Sequence, residues 1–255
     1  NVGGLLNQGL DLTLGVDILR GKDYYLRFQT TFNWNSEKVT ELFNGLDRWE
    51  MVGYGFAYVV GKPVSFYYPI YAGIDPEDGL PMWYLPGENV DETTMDPSRV
   101  TKTFDESGLT QNTGTRLNPP INGGFSIGGA WRGLSLQADF SYVLGKYLIN
   151  NDAFFYANPF QNLDCTQHKD VQDFWTPENT DAKYPDWSQG VTMQFDTHLL
   201  EKANFLRLKN LQVGYDLPRH LLGTQQVVNG LKFSFTARNL FCLTNYSGID
   251  PEVAG

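Results

Sequence analysis

The stretch Leu134-Ser135-Leu136-Gln137-Ala138-Asp139-Phe140-Ser141-Tyr142-Val143-Leu144 decides the reading of this chain. Leu134, Leu136, Ala138, Phe140, Tyr142 and Leu144 alternate with Ser135, Gln137, Asp139 and Ser141. Successive side chains of a strand point to opposite faces, so this run is a β-strand with one apolar and one polar face. Just before it, across the tight turn Arg132-Gly133, Phe125, Ile127 and Trp131 alternate with Ser126 and Gly128. The two runs form a hairpin.

The same pattern extends in both directions. Leu10, Leu12, Leu14, Val16 and Ile18 alternate with Asp11, Thr13, Gly15 and Asp17. Beyond Arg20-Gly21-Lys22-Asp23, Tyr24, Leu26, Phe28, Phe32 and Trp34 alternate with Arg27, Gln29, Thr31 and Asn33. This is a second hairpin on a short polar turn. Near the end, Leu231, Phe233, Phe235 and Ala237 alternate with Lys232, Ser234, Thr236 and Arg238. From Phe205 to Leu217 the alternation changes phase, with Leu206 and Leu208 on one parity and Leu211, Val213 and Tyr215 on the other. A β-bulge near Lys209-Asn210 would produce that shift. Trp49–Val60 and Phe66–Ile74 read as weaker strands, which brings the expected number to about eight.

The better strands run about 10 residues or more, against five or six in soluble sheets and 9–11 for a tilted membrane crossing. Trp34, Trp131 and Phe241 sit near strand ends on the apolar face, where aromatic residues suit the membrane–water interface. The joins alternate in length. Gly21–Asp23, Gly61–Ser65 and Gly133 are short, whereas Asn35–Arg48, Asp75–Ile121 and Lys146–Asn204 are long. Pro218–Gly230 is intermediate and falls on the short side. In an up-and-down sheet every second join lies at the same end, so nearly all the loop mass projects from one side. The expected fold class is therefore all-β, a transmembrane antiparallel β-barrel with long extracellular loops.

Composition agrees. The chain has 255 residues, 15% of them aromatic and only 19% charged, with a formal net charge of −10. Disorder is excluded by the large apolar content. A helical membrane protein is excluded because no window offers about 18 consecutive apolar residues. Nucleic acid is an unsuitable partner for a chain of pI about 4.7. Cys165 and Cys242 are too few for a disulfide scaffold. The opening Asn1-Val2-Gly3-Gly4 lacks the cationic stretch and apolar core of a signal peptide, as a mature or internal segment would. The mean hydropathy of −0.35 is no argument against a barrel, whose alternating strands average out in such a sum.

No motif points to covalent chemistry. Gly124-Phe125-Ser126-Ile127-Gly128 has the spacing of a nucleophile elbow, but alternating strand follows where a helix is needed. It reads as Gly-rich strand with Ser126 facing inward. Gly55–Lys62 misses the P-loop spacing, and Pro63 stands where a magnesium-binding hydroxyl belongs. His168, His198 and His220 are scattered, without metal-ligand spacing. The acidic loop Asp75–Glu106 lacks the ordered ligand positions of a calcium loop and reads as a solvated acidic surface. The expectation is no enzyme, no resident metal and no cofactor. The loop aromatics Trp83, Tyr84, Trp175, Tyr184 and Trp187 have two readings: they stack on a ligand or partner, or they pack the loops together.

Several segments resemble the SusC/RagA family of TonB-dependent outer-membrane receptors, typical of Bacteroidetes-type bacteria. Phe205-Leu206-Arg207-Leu208-Lys209-Asn210-Leu211-Gln212-Val213-Gly214-Tyr215-Asp216-Leu217-Pro218 is similar to a hallmark run near that family's C-terminus. Asn239-Leu240-Phe241, Tyr246-Ser247-Gly248 and Asp250-Pro251-Glu252 resemble the segment that follows it. Asn1-Val2-Gly3, Asn7-Gln8-Gly9-Leu10-Asp11, Gly61-Lys62-Pro63, Tyr71-Ala72-Gly73-Ile74-Asp75-Pro76, Asn118-Pro119-Pro120 and Trp175-Thr176-Pro177-Glu178-Asn179 fall in the family's order.

The resemblance implies a 22-stranded barrel, a plug domain, an N-terminal TonB box and a terminal strand ending in an aromatic. Residues 1–255 are then expected to be the C-terminal part of the barrel, with plug, TonB box and last strand outside them. It further implies energy-dependent import of a glycan or peptide, with a SusD-like surface lipoprotein, the TonB complex and outer-membrane lipid as partners. Arg27, Gln29, Gln137, Asp139 and Arg238 are expected to face the lumen. The loops around Trp83, Tyr84, Trp175, Tyr184 and Trp187 are expected to meet ligand or lipoprotein. The rival expectation is a soluble secreted carbohydrate-binding β-sandwich or glycan-active enzyme, which needs no long strands with an apolar outer face.

Overall fold

The computed structural model describes residues 3–51, 53–160, 166–222, 228 and 230–253. Outside them lie Asn1 and Val2 of the first motif, Leu163, Asp164 and Cys165, and residues 223–227 and 229 of the Pro218–Gly230 join.

Six long strands carry the fold: β1 (Gly3–Arg20), β2 (Tyr24–Leu42), β3 (Ile121–Trp131), β4 (Leu134–Leu144), β5 (Phe205–Asp216) and β6 (Lys232–Thr244). Each pairs antiparallel with the next, so sheet order is chain order. The register aligns the apolar positions into rows. One row reads Val16, Phe28, Ile127, Ala138, Leu211 and Ala237. Toward the long-join end another reads Leu12, Phe32, Gly123, Tyr142, Leu206 and Leu243. Most large side chains of this face have little protein over them: Leu10 is 58% exposed, Leu12 53% and Phe235 64%. A sandwich would cover such a face with a second sheet. Here it is bare, as a lipid-facing wall is, and the sandwich reading fails.

Within that face, packing is between neighbouring strands. Phe125 and Phe140 stack at 4.6 Å between ring centres. Tyr142 lies over Gly123, where a Cβ would clash with its ring, and its hydroxyl donates to the Thr31 carbonyl. Trp34 and Trp131 sit near opposite ends of the face. The bulge expected near Lys209-Asn210 is present. Asp139 pairs with Asn210 and Phe140 with Leu208, leaving Lys209 as the extra residue. This restores Leu206 and Leu208 to the apolar face that Leu211, Val213 and Tyr215 also occupy.

Of the eight expected strands, six are the long strands of the main sheet. Trp49–Val60 and Phe66–Ile74 do not join the main sheet. Trp49–Val60 is broken by Gly53 (φ 82°) and Gly55 (φ 67°) into the short strands Arg48–Met51 and Phe56–Val59. Four residues are too few to cross a bilayer. In Phe66–Ile74, Pro69 ends the first ladder, because proline has no N–H to donate. Ser65–Pro69 pairs with Phe56–Val59 and Thr110–Arg116, whereas Tyr71–Ile74 pairs with Pro81–Tyr84. The Gly61–Ser65 turn therefore belongs to the long-join end rather than the short-turn end. The join after β4 carries a short helix, Asn151–Tyr156, with Asn150 capping it by accepting from the Ala153 N–H.

With six strands the asymmetry is sharper. Residues 21–23, 132–133 and 217–231 join strands at one end, and residues 43–120 and 145–204 at the other. The long joins fold into small sheets and hold the buried apolar clusters. One packs Val39, Leu42 and Val64 with Trp49 and Tyr58, and another packs Ala153, Ala157, Tyr184, Met193 and Leu199. The molecule is thus a single-layer wall carrying a packed cap.

An arginine at mid-depth on the lipid face of a barrel costs about 2–4 kcal/mol. Ala138→Arg in the bilayer-inserted full-length protein is expected to lower unfolding stability by about that amount, whereas Gln137→Arg, one residue away on the other face, is expected to change it by less than about 1 kcal/mol. Urea unfolding in vesicles reads the difference.

Candidate functional site: the polar wall and the cap at its mouth

The face opposite the apolar rows is polar. Gly15, Gln29, Ser126, Asp139, Asn210 and Arg238 form one rung across the six strands. Asp17, Arg27, Gly128, Gln137, Gln212 and Thr236 form the next. Arg27, Gln29, Gln137, Asp139 and Arg238 therefore share one face on two adjacent rungs. Their polar groups are partly paired within the wall. The Asp139 carboxylate accepts from Gln137 Nε2 at 2.6 Å and from Asn210 Nδ2 at 3.0 Å. Arg27 lies 3.8 Å from the Asp17 carboxylate. Ser126, in the Gly-x-Ser-x-Gly match, is one residue of the polar rung, within a continuous strand. Toward the short-turn end the wall is concave, with a cavity of about 760 Å³ lined by Asp17, Arg20, Lys22, Arg27, Gln29 and Gln137. A hydrated, mixed-charge wall of this kind can guide a polar solute or seat a polar protein surface. It holds no assembled nucleophile and base.

At the long-join end of the same face, segment 245–252 folds back over β5. Arg207 faces Asp250 and Glu252, with its Nε 3.0 Å from Glu252. Lys209 pairs with Glu252. Lys146 Nζ donates to the Pro251 carbonyl at 2.6 Å. Ser247 Oγ donates to Glu201 at 2.7 Å, and Asn150 Nδ2 donates to both Glu201 and Ser247. The two segments that carry the strongest resemblance are thus bound to each other. Nothing in sequence spacing signals it, because Arg207 and Asp250 are 43 residues apart.

The loop aromatics converge in the cap. Trp83 is 3% exposed and donates its Nε1 to the buried Asp196 carboxylate at 2.7 Å. Asp196 also accepts from the His198 backbone N–H and meets the His198 ring. Tyr71 packs between Trp83 and His198, and burial raises its hydroxyl pKa. Tyr184 is buried and stacks on Trp187. Trp175 is buried over Gly79 (φ 75°), where a Cβ would meet its ring at 2.6 Å, and its Nε1 donates to Pro76. Trp187 Nε1 donates to the Val171 carbonyl. Tyr84 is half-buried, and its carbonyl accepts from Gln111. The cleft between Tyr71, Trp83, Tyr184, Trp187 and His198 is about 30 Å³, room for a water but not a sugar ring. These rings pack the cap. Sequence reading missed Asp196 and His198 as the polar centre they close around.

The acidic loop is held by its few cations. Lys102 bridges Asp75 at 2.6 Å and Asp78 at 2.7 Å. That contact holds the Asp75 carboxyl below the usual carboxylate range and the Lys102 ammonium above its own. Asp91 accepts from Tyr67 and pairs with Arg48. Among the described residues, no group of three or more His, Cys, Asp or Glu side chains is placed to hold a metal.

A single-layer antiparallel wall with one apolar face, one polar face and its loop mass at one mouth defines a segment of an outer-membrane β-barrel. No protein-family model matches the chain. The TonB-dependent receptor P26 of Formosa agariphila is 25% identical over 99% of this chain, and the TonB-dependent receptor SusC of Bacteroides thetaiotaomicron is 24% identical over 99%. The chain spans about a quarter of the length of these curated relatives (26% and 24%). The solved structure of the RagAB peptide transporter matches 99% of this chain at 40% identity with a TM-score of 0.88, using 27% of that chain. The RagAB peptide importer in its open-open state matches equally, at 40% identity and a TM-score of 0.88. Along its whole length the chain is thus similar to TonB-dependent receptors of the SusC/RagA group, which are β-barrel proteins of the bacterial outer membrane.

Trp83→Phe keeps the ring but leaves the buried Asp196 carboxylate without its indole donor. It is expected to destabilise the cap by about 1–3 kcal/mol, read as faster proteolysis of residues 71–84. Acid should act on the Lys102 bridge in the direction its shift dictates. A depressed carboxyl pKa stabilises the fold above the unfolded value near 4, and that contribution is lost as pH falls through the lower folded value. The protection of backbone amides over residues 75–102, relative to their intrinsic exchange rate at each pH, is expected to fall as pH drops below about 4, and Lys102→Met to remove most of that dependence.

Proposed function

We propose that residues 1–255 are the C-terminal part of the barrel of an importer that moves a peptide or glycan across the outer membrane. The observation that carries this is the two-faced wall in a single register, with apolar rows outside and polar rungs inside, under a cap at one mouth only. Both edges of the sheet, β1 and β6, offer unpaired backbone N–H and C=O groups. Lipid cannot satisfy these, so further strands of the receptor pair with each edge and close the barrel. A family-typical barrel of 22 strands accommodates them. Plug, TonB box and last strand belong to the rest of the receptor.

On this reading the polar rungs, including Arg27, Gln29, Gln137, Asp139 and Arg238, line the substrate path or seat the plug. The cap presents the extracellular surface to a SusD-like lipoprotein. Trp83, Trp175 and Tyr184 support that surface from within, and Trp187 and Tyr84 lie nearer to it. TonB, driven from the inner membrane, acts through the plug. The chain does no covalent chemistry. Peptide is the favoured cargo, because the RagAB peptide transporter is 40% identical over this region and the curated receptors are 22–25%.

Uptake of a fluorescent oligopeptide by cells carrying the receptor tests this. Accumulation is expected to need the receptor and to stop when the proton gradient is collapsed. Uptake unaffected by deletion of the receptor would refute the importer reading. Topology is tested by single cysteines: Glu88→Cys in the cap should react with an impermeant maleimide on intact cells, and Lys22→Cys in a short turn should not. The reverse pattern would invert the wall.

A further inference from the structure

In an acidic chain, three cations gather at one point of the inner wall. Lys146 follows β4, and Arg207 and Lys209 lie in β5. All three are occupied by the chain's own segment 250–252. Arg207 takes both Asp250 and Glu252, Lys209 takes Glu252, and Lys146 takes the Pro251 carbonyl at 2.6 Å and the Glu252 carbonyl at 3.5 Å. Arg207 is buried, and its Nε has no hydrogen bond of good geometry despite the nearby Glu252 oxygen. Charge and main chain are thus recognised together, so what the site holds in cis is a short acidic peptide. The same wall offers a next station. Arg238 lies on the adjacent inner rung, exposed and with no ion-pair partner among the described residues. Ser141, Arg207 and Cys242 form the rung at the mouth, and Asp139, Asn210 and Arg238 the one below it. Asp139, the acid on that rung, is engaged by Gln137 and Asn210.

We infer that Lys146, Arg207 and Lys209 form a carboxylate-reading peptide site at the outer mouth, filled at rest by the receptor's own Asp250-Pro251-Glu252 and yielding to an acidic peptide substrate that then passes to Arg238. The inference rests on the import reading above and names its substrate class. The internal acidic strap acts as a competitor, so that only a peptide able to replace two carboxylates displaces it. A neutral peptide offers these cations only a main-chain carbonyl for Lys146 and nothing to Arg207 and Lys209. A uronate oligosaccharide supplies carboxylates but not the main-chain carbonyl that Lys146 binds.

The test uses the full-length receptor in detergent with three labelled probes: the peptide Ala-Asp-Ala-Glu-Ala, its neutral analogue Ala-Asn-Ala-Gln-Ala, and a tetragalacturonate. The reading is the ratio of acidic to neutral peptide affinity. Asp250→Asn with Glu252→Gln removes the competitor and is expected to raise that ratio about tenfold, the order of one charge-assisted contact. Arg207→Gln with Lys209→Gln is expected to bring it to about one, and Arg238→Gln to lower uptake of the acidic peptide more than its binding. Heat-modifiable mobility of the barrel checks folding. If the double acid variant does not fold, Glu252→Gln alone, which keeps Arg207 with Asp250, is read by the same criterion. A ratio unmoved by removing the acids, or unmoved by removing the cations, overturns the inference while neutral-peptide binding leaves the import reading standing. A tetragalacturonate that shows the charge dependence when the acidic peptide does not also overturns it. Binding of no peptide by the wild-type receptor overturns the inference and peptide as the cargo, and leaves glycan import standing.

Discussion

Inside a bilayer there is no water to satisfy a backbone N–H or C=O, and each unpaired group costs several kcal/mol. Every feature of this wall follows from that constraint. The strands pair continuously from β1 to β6, in chain order, without a gap. They run 11–19 residues, long enough to cross and, for β1 and β2, to continue beyond the membrane. At roughly 3.3 Å per residue, β1 reaches about 60 Å, twice the hydrocarbon thickness. Its far end and that of β2 leave the lipid and become part of the cap, where Val39 and Leu42 are buried against Trp49, Tyr58 and Val64.

The same constraint divides the labour between wall and cap. The wall has almost no core, because one face of its single layer carries apolar rows with little protein over them and the other carries polar rungs. The buried clusters lie in the long joins, where water drives apolar burial in the ordinary way. Trp83, Trp175 and Tyr184 belong to that burial. The cap's polar contacts are side-chain anchors of short irregular chain: Trp83 to Asp196, Lys102 to Asp75 and Asp78, Arg48 and Tyr67 to Asp91. A loop mass pinned this way can hold a fixed shape over an open mouth.

What was legible in the sequence was whatever local alternation controls. Leu134–Leu144 and its neighbours keep one parity over a full crossing. The phase change at Lys209 even located the bulge. The shared face of Arg27, Gln29, Gln137, Asp139 and Arg238 follows from the same parity. Alternation could not tell a membrane strand from a short cap strand. Trp49–Val60 alternates well enough, but Gly53 and Gly55 take left-handed backbone and fold it on itself. Pro69 does the equivalent for Phe66–Ile74. Long-range pairs were illegible altogether. Arg207 and Asp250, or Trp83 and Asp196, are brought together by the meander and by cap packing, with no local signal at either end. The aromatic count flagged Trp83 without showing that Asp196 and His198 lie beside it.

The central claim is that one face of this sheet meets lipid and the other an aqueous lumen. A nitroxide scan along Leu134–Leu144 in the bilayer-reconstituted full receptor tests it most directly. Collision with oxygen, which concentrates in lipid, should peak at Leu136, Ala138 and Phe140. Collision with a water-soluble nickel complex should peak at Ser135, Gln137 and Asp139, giving two opposed oscillations of period two. A profile without that period, or one in the opposite phase, would contradict the account.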